Sequence, residues 1–161
     1  MLELDNLDID EKVDYLTNTQ LGDNVEAINQ IVDLISSTND ARVRNSGALA
    51  LMTATSKQDE IKKSLFNILK KHDDSDNFGT LVYACSGFDF SNEVKYFINL
   101  ALTGNAEVRM STGSVLKKMK MLSDNDLDSA MKEADKIATS GKEFSKEDYF
   151  NLISFLKSKM N

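Results

Sequence analysis

The feature that most constrains the fold is a helical periodicity that returns in segment after segment of the 161 residues. Apolar residues recur every three or four positions, so that each segment carries one apolar stripe. Three of these stripes are Val25, Ile28, Val32 and Ile35; Ile61, Leu65, Ile68 and Leu69; and Val94, Phe97, Ile98, Ala101 and Leu102. Because a lone helix of this length is marginal in water, each stripe must pack against a neighbouring helix. The pattern predicts an all-α fold.

Local signals divide the chain into nine predicted helices. Serine with an acid three positions later is typical of a helix start and occurs at Ser56, Ser123 and Ser145, while glycine favours a helix end and occurs at Gly22, Gly104 and Gly141. The chain contains no proline, which suits closely stacked helices. The predicted helices cover residues 9–20, 24–37, 40–55, 57–72, 77–87, 92–103, 106–121, 125–139 and 146–159.

One short segment occurs twice in the sequence. Residues 41–46 read Ala-Arg-Val-Arg-Asn-Ser, and residues 106–111, which lie 65 positions later, read Ala-Glu-Val-Arg-Met-Ser. The helix predicted at 57–72 falls at the half-step between the copies, so the repeating unit is about 33 residues long. A unit of this size is a pair of helices, and such pairs stack on one another.

The repeated Val-Arg pairs, Val43-Arg44 and Val108-Arg109, follow an Asn- or Asp-bearing turn early in the second helix of their units. This arrangement resembles HEAT repeats, in which the valine packs inward and the arginine reaches towards the turn of a neighbouring unit. The resemblance implies one domain over residues 1–161, folded as a right-handed solenoid. About four antiparallel helix pairs occupy residues 24–159, after an acidic N-terminal helix and turn in residues 1–23.

Composition predicts a cytoplasmic protein. The chain has a single cysteine, Cys85, which excludes an internal disulfide and suits a reducing compartment. The first residues lack the basic start and apolar run of a signal peptide, and no stretch approaches the roughly 18 apolar residues of a membrane span.

The net charge of −7 is concentrated at the N-terminus. Residues 1–40 hold ten acids against the single base Lys12, whereas residues 41–161 hold eighteen bases and sixteen acids. Such a surface repels nucleic acid and favours a basic partner, although a merely solvated face is an equal alternative. The candidate partner-binding acids are Asp8, Asp10, Glu11, Asp14, Asp23, Glu26 and Asp33.

No pattern indicates catalysis, a metal ion or a cofactor. The only histidine, His72, lies at a polar helix end where it complements the negative helix terminus, and Cys85 lies in an apolar helix face. Two acid clusters, at 73–76 and 124–128, lack the glycine and terminal glutamate of a calcium loop and suit helix N-termini. We therefore expect a protein that is not an enzyme and has no cofactor.

The least generic segment is the turn that contains Phe88, Asp89 and Phe90. In one interpretation the two phenylalanines plug the turn and Asp89 or Ser91 caps the next helix. In the other, an aromatic pair beside an acid anchors a partner, which makes the three residues candidate contacts.

Together with Leu81-Val82-Tyr83-Ala84 before it and Gly104-Asn105-Ala106-Glu107-Val108 after it, this turn resembles small, HEAT-like bacterial immunity proteins. The resemblance implies a chain that binds and neutralises a cognate toxin. The acidic N-terminus suits a basic toxin such as a nuclease delivered in bacterial competition. The alternatives are a general HEAT-like adaptor and, third, a helical-repeat nucleic-acid enzyme of the alkylpurine-glycosylase kind. Neither a membrane partner nor a nucleic-acid partner is expected, and the oligomeric state stays open.

Overall fold

A computed structural model describes residues 4–72, 78–120, 122–141 and 144–159. This part of the chain forms an all-α fold, as predicted. Its α-helices are α1 (Ile9–Asn18), α2 (Val25–Ser37), α3 (Ala41–Leu51), α4 (Gln58–Lys71), α5 (Phe78–Ala84), α6 (Val94–Thr103), α7 (Ala106–Lys118), α8 (Asp124–Thr139) and α9 (Lys146–Ser158). Single 3₁₀ turns precede α1 and flank the loop between α5 and α6, at Leu4–Asn6, Cys85–Gly87 and Ser91–Glu93.

Each predicted helix has a counterpart in the structure, and two of the three predicted serine N-caps are confirmed. Ser123 and Ser145 accept the backbone N–H of Asp126 and of Asp148, each at 3.2 Å, and so cap α8 and α9. The prediction for Ser56 is wrong, because α4 begins one residue later. Its N-cap is Lys57, which has a left-handed backbone (φ 54°) and makes no side-chain cap.

Helices that alternate along the chain pack side by side. α3 lies between α1 and α5, and α5 also packs on α7; on the other side of the fold α2 packs on α4, and α6 on α8. Successive helices pack across the two sides, in the pairs α2 with α3, α4 with α5, α6 with α7 and α8 with α9. The apolar stripes meet between the two sides and form one continuous core.

The stripes face that core with one exception. Val43 and Val108, the repeated valines, are 1% and 4% exposed, as the repeat register predicts. Val25 was expected in the stripe of α2, but it is 44% exposed, and the buried residues of that helix are Ile28, Ile31 and Ile35. Val25 is the first residue of α2, so it lies at the end of the helix, beyond the reach of its packing neighbours.

In the described part of the chain, no helix combines the length and the apolar character needed to cross a bilayer. The acid cluster at residues 73–76 lies outside the described residues.

Candidate protein-binding surface

The acids at the start of α1 stabilise their own helix while remaining exposed. Asp8 accepts the backbone N–H of Glu11 at 2.9 Å, and Glu11 accepts the backbone N–H of Asp8 at 2.9 Å. This reciprocal capping box satisfies two N–H groups that would otherwise lack partners. Both carboxylates also lie at the positive end of the helix, where a negative charge is favourable. Any test of partner binding must therefore separate these two residues from the folding of α1.

Two further acids of α1 have polar partners. Asp10 forms an ion pair of 2.9 Å with Arg42, at the start of α3. Asp14 accepts a hydrogen bond of 3.2 Å from Asn18, one turn later in the same helix. An exposed ion pair contributes about 0–1 kcal/mol to stability, so the Asp10–Arg42 pair adds little to the stability of the fold. Sequence reasoning missed Arg42 because its partner lies 32 residues away.

The remaining three acids are exposed and have no side-chain partner in the part of the chain that the structure describes. Asp23 lies in the turn before α2, and Glu26 and Asp33 lie on that helix. All three are exposed, and their carboxylates form no ion pair or hydrogen bond within the described residues. Carboxylates in this state keep their full capacity to accept hydrogen bonds and to pair with a basic protein.

The turn at Phe88, Asp89 and Phe90 requires a correction to the predicted contact surface. Phe88 is buried and Phe90 is 1% exposed. The ring centroid of Phe90 lies 5.3 Å from that of Phe97 and 6.1 Å from that of Phe66. Both rings are part of the core, because the short loop between α5 and α6 closes over the core at this point. They therefore offer no surface to a partner. The burial supports the interpretation in which they plug the turn.

Asp89 organises this turn as an acceptor. Its carboxylate accepts hydrogen bonds from the backbone N–H of Ser91 at 3.1 Å, from the Ser91 hydroxyl, and from the backbone N–H of Lys120 at 3.4 Å. Partial burial raises the pKa of Asp89, but these hydrogen bonds and the charge of Lys120 outweigh it and hold the pKa below its ordinary value. Asp89 thus joins the α5–α6 loop to the segment that follows α7.

We expect Asp89→Asn to lower the unfolding free energy near neutral pH. A pKa depressed by folding contributes stability above the ordinary pKa of about 4, and this contribution disappears as the pH falls through the folded-state value. Urea unfolding of the variant and the wild type from about pH 7 to pH 3 should therefore give curves that converge at the acid end. The exposed Asp33→Asn is the control, and a difference for Asp89→Asn that does not change with pH would contradict this role.

His72 and Cys85 occupy structural positions. The backbone N–H of His72 closes the end of α4 by donating to the carbonyls of Ile68 at 3.1 Å and Leu69 at 3.2 Å. Cys85 is fully buried, its thiol donates to the carbonyl of Leu81 at 3.6 Å, and burial raises its pKa well above the ordinary value. A buried thiol with a raised pKa is a poor nucleophile. Within the described ranges, no three His, Cys, Asp or Glu side chains converge as metal ligands would.

A scan against protein-family models found no matching family, and searches of curated proteins and of solved structures found no match for this chain.

Proposed function

We propose that this chain is an immunity protein, a HEAT-like helical solenoid that binds a basic bacterial toxin through the acids of α1 and α2 and neutralises it. The observation that carries the proposal is the uneven charge. Ten of the 26 acids lie in the first forty residues with one base, and those of them on α1, α2 and the intervening turn are exposed. Stability does not require such an accumulation, because like charges on neighbouring helices repel each other.

The packing supports the repeat assignment on which the proposal rests. Alternating helices form two layers, and the repeated valines are buried at equivalent positions. Arg109 donates to the carbonyl of Gly104 at 3.0 Å and pairs with Asp148, at the start of α9, at 3.2 Å. It thus reaches both the turn before its own helix and the next helix pair, as the arginine of a HEAT unit does. Solenoids of this kind bind partners over extended surfaces.

The charge of the surface indicates the chemistry of the partner. A nuclease binds nucleic acid in a cleft lined by lysine and arginine, and clustered carboxylates on a rigid scaffold can take the place of the phosphates there. Complementary fields also speed association, which matters to a protein that must reach a toxin before the toxin reaches its target. The proposed site comprises Asp8, Asp10, Glu11, Asp14, Asp23, Glu26 and Asp33. It excludes the turn at Phe88, Asp89 and Phe90, because both rings are buried and the Asp89 carboxylate accepts hydrogen bonds within the fold.

Charge reversal at Asp14, Glu26 and Asp33 tests this proposal. These three acids lie outside the capping box and the ion pair with Arg42, so Asp14→Lys/Glu26→Lys/Asp33→Lys should leave the fold intact. An immunity protein is expected to be encoded beside its toxin, so the product of the neighbouring gene is the partner to test. We expect the triple variant to bind that toxin at least about tenfold more weakly than the wild type does, a change of about 1.4 kcal/mol. The loss should appear mainly in the association rate and should shrink at high salt.

The matched control reverses three exposed acids elsewhere in the chain, Asp59, Asp124 and Glu147, with the same change in net charge. If both triple variants lose affinity equally, only total charge matters and the proposed site is wrong. If the neighbouring gene product neither binds the wild type nor is neutralised by it, the immunity function fails. Specific binding of an unrelated protein would then favour the adaptor alternative.

A further inference from the structure

One face of α7 is left uncovered although its repeat counterpart in α3 is covered. The two helices are related by the 65-residue repeat, so Asn45 of α3 corresponds to Met110 of α7. Asn45 is 7% exposed, because α3 packs between α1 and α5, whereas Met110 is 78% exposed. α7 packs on α5 on one side, but on the other side it stands off α9, which packs mainly on α8 and α6.

The space between α7 and α9 is a cleft of about 410 Å³. Its walls are mostly apolar and include Ala101, Met110, Leu116, Leu152 and Phe155. Gly113 lies in the middle of the α7 wall, and a Cβ added there would meet no atom within 4 Å. A cleft of this volume with mainly apolar walls and few polar groups has the properties of a small-molecule site.

Two contacts tie the walls of the cleft together and limit its width. Near the start of the two helices, Arg109 Nε lies 3.2 Å from Asp148 Oδ2. Near their ends, Lys159 Nζ donates to the carbonyl of Met119 at 3.1 Å. Because α9 is tied to the α7 segment at both ends, the gap cannot take a helix, which is about 10 Å across. The occupant must be a narrow molecule that enters between the two ties.

The charged side chains at the cleft indicate which head group its occupant carries. Arg109 and Asp148 neutralise each other, and the remaining charged side chain of the lining, Lys117, is exposed and forms no ion pair in the described part of the chain. The cleft therefore combines an apolar interior with positive charge at its rim, from Lys117 and from Lys159, whose Nζ lies 5.3 Å from the centroid of the Phe155 ring. Burial of an alkyl chain between the helices is favourable, and a carboxylate beside Lys117 adds a charge-assisted hydrogen bond.

We propose that the α7–α9 cleft binds an amphipathic monoanion, with an unbranched alkyl chain between the helices and its carboxylate at Lys117. This site is separate from the acids of α1 and α2 and does not depend on the proposed toxin partner.

Titration with decanoate tests the proposal, with decanol and decyltrimethylammonium as probes of equal chain length and different charge. We expect saturable binding of decanoate below its micelle concentration, weaker binding of decanol and the weakest binding of the cation. The readouts are calorimetry and the NMR shift of the Met110 methyl group, with the methyl group of Met52 as the internal reference. Lys117→Gln should weaken decanoate binding and leave decanol binding unchanged.

Gly113→Leu should fill the cleft and weaken decanoate binding at least about tenfold without unfolding the protein, because the new side chain enters open space. Gly113→Ala is the matched control, since it removes the same glycine from the helix but adds one methyl group. Absence of saturable decanoate binding to the wild type overturns the proposal. The proposal is also overturned if the NMR signal of the Met110 methyl group shifts no more than that of Met52, or if all three probes bind equally well. These measurements use the wild type and do not require a folded Gly113→Leu variant.

Discussion

Val43→Asp and Val108→Asp are each expected to lower the unfolding free energy by about 3–5 kcal/mol. Both valines are almost fully buried at equivalent repeat positions, so the new carboxylate would lie among apolar side chains without a partner. The total stability of a domain this size is about 5–15 kcal/mol, and so either change should remove a large share of it. Urea denaturation followed by far-UV circular dichroism measures the loss.

Val25→Asp is the matched control for that measurement. It makes the same substitution in the first turn of α2, where the valine is largely exposed and a negative charge complements the helix dipole. We expect a change within about 0.5 kcal/mol. If Val43→Asp and Val108→Asp unfold at the same urea concentration as Val25→Asp, the repeat register is wrong.

Phe90→Ala is expected to cost about 3–5 kcal/mol, the range for a buried phenylalanine whose removal leaves a cavity. Its ring contacts those of Phe66 and Phe97, so truncation removes aromatic contacts from the core as well as buried apolar area. Phe150 offers a comparison of identical chemistry, because its ring is 66% exposed on α9. Phe150→Ala should change stability by less than about 1 kcal/mol.

Thermal or urea unfolding of the two variants distinguishes the interpretations of the turn at residues 88–90. A large loss for Phe90→Ala alone agrees with a ring that closes the core. A folded Phe90→Ala variant with wild-type stability and impaired partner binding would restore the ring as a contact residue, against its position in the structure.

Helix positions were largely predictable because they depend on local chemistry. The spacing of apolar residues and the hydroxyl caps act within three or four residues, as at Ser123 and Ser145. Ser56 shows the limit of such a signal, since its hydroxyl donates instead to the carbonyl of Asp23, 33 residues away, at 3.4 Å. The repeat copy at 41–46 and 106–111 likewise predicted the burial of both valines, because each has the same place in the apolar spacing of its helix.

The sequence did not predict in the same way which side chains are accessible to a partner. The sequence located the excess of acids at the N-terminus, since net charge is a sum over residues, but the Asp10–Arg42 pair joins helices that are separated along the chain. For Phe88 and Phe90, the sequence favoured rings that plug the turn but left a partner contact open, and only the closure of the α5–α6 loop over the core decided between them.

By itself, then, the sequence determined the all-α class, the order of the helices, the inward register of the repeated valines and the concentration of charge, because each follows from local spacing or from composition. Tertiary structure alone decided which side chains remain accessible. The α7–α9 cleft illustrates the difference: α3 and α7 share the Ala-x-Val-Arg-x-Ser pattern, yet Asn45 on α3 is covered and Met110, at the equivalent position on α7, is exposed. The reason is physical, since exposure depends on how closely the next helix approaches, and α9 packs mainly on α8 and α6 rather than on α7.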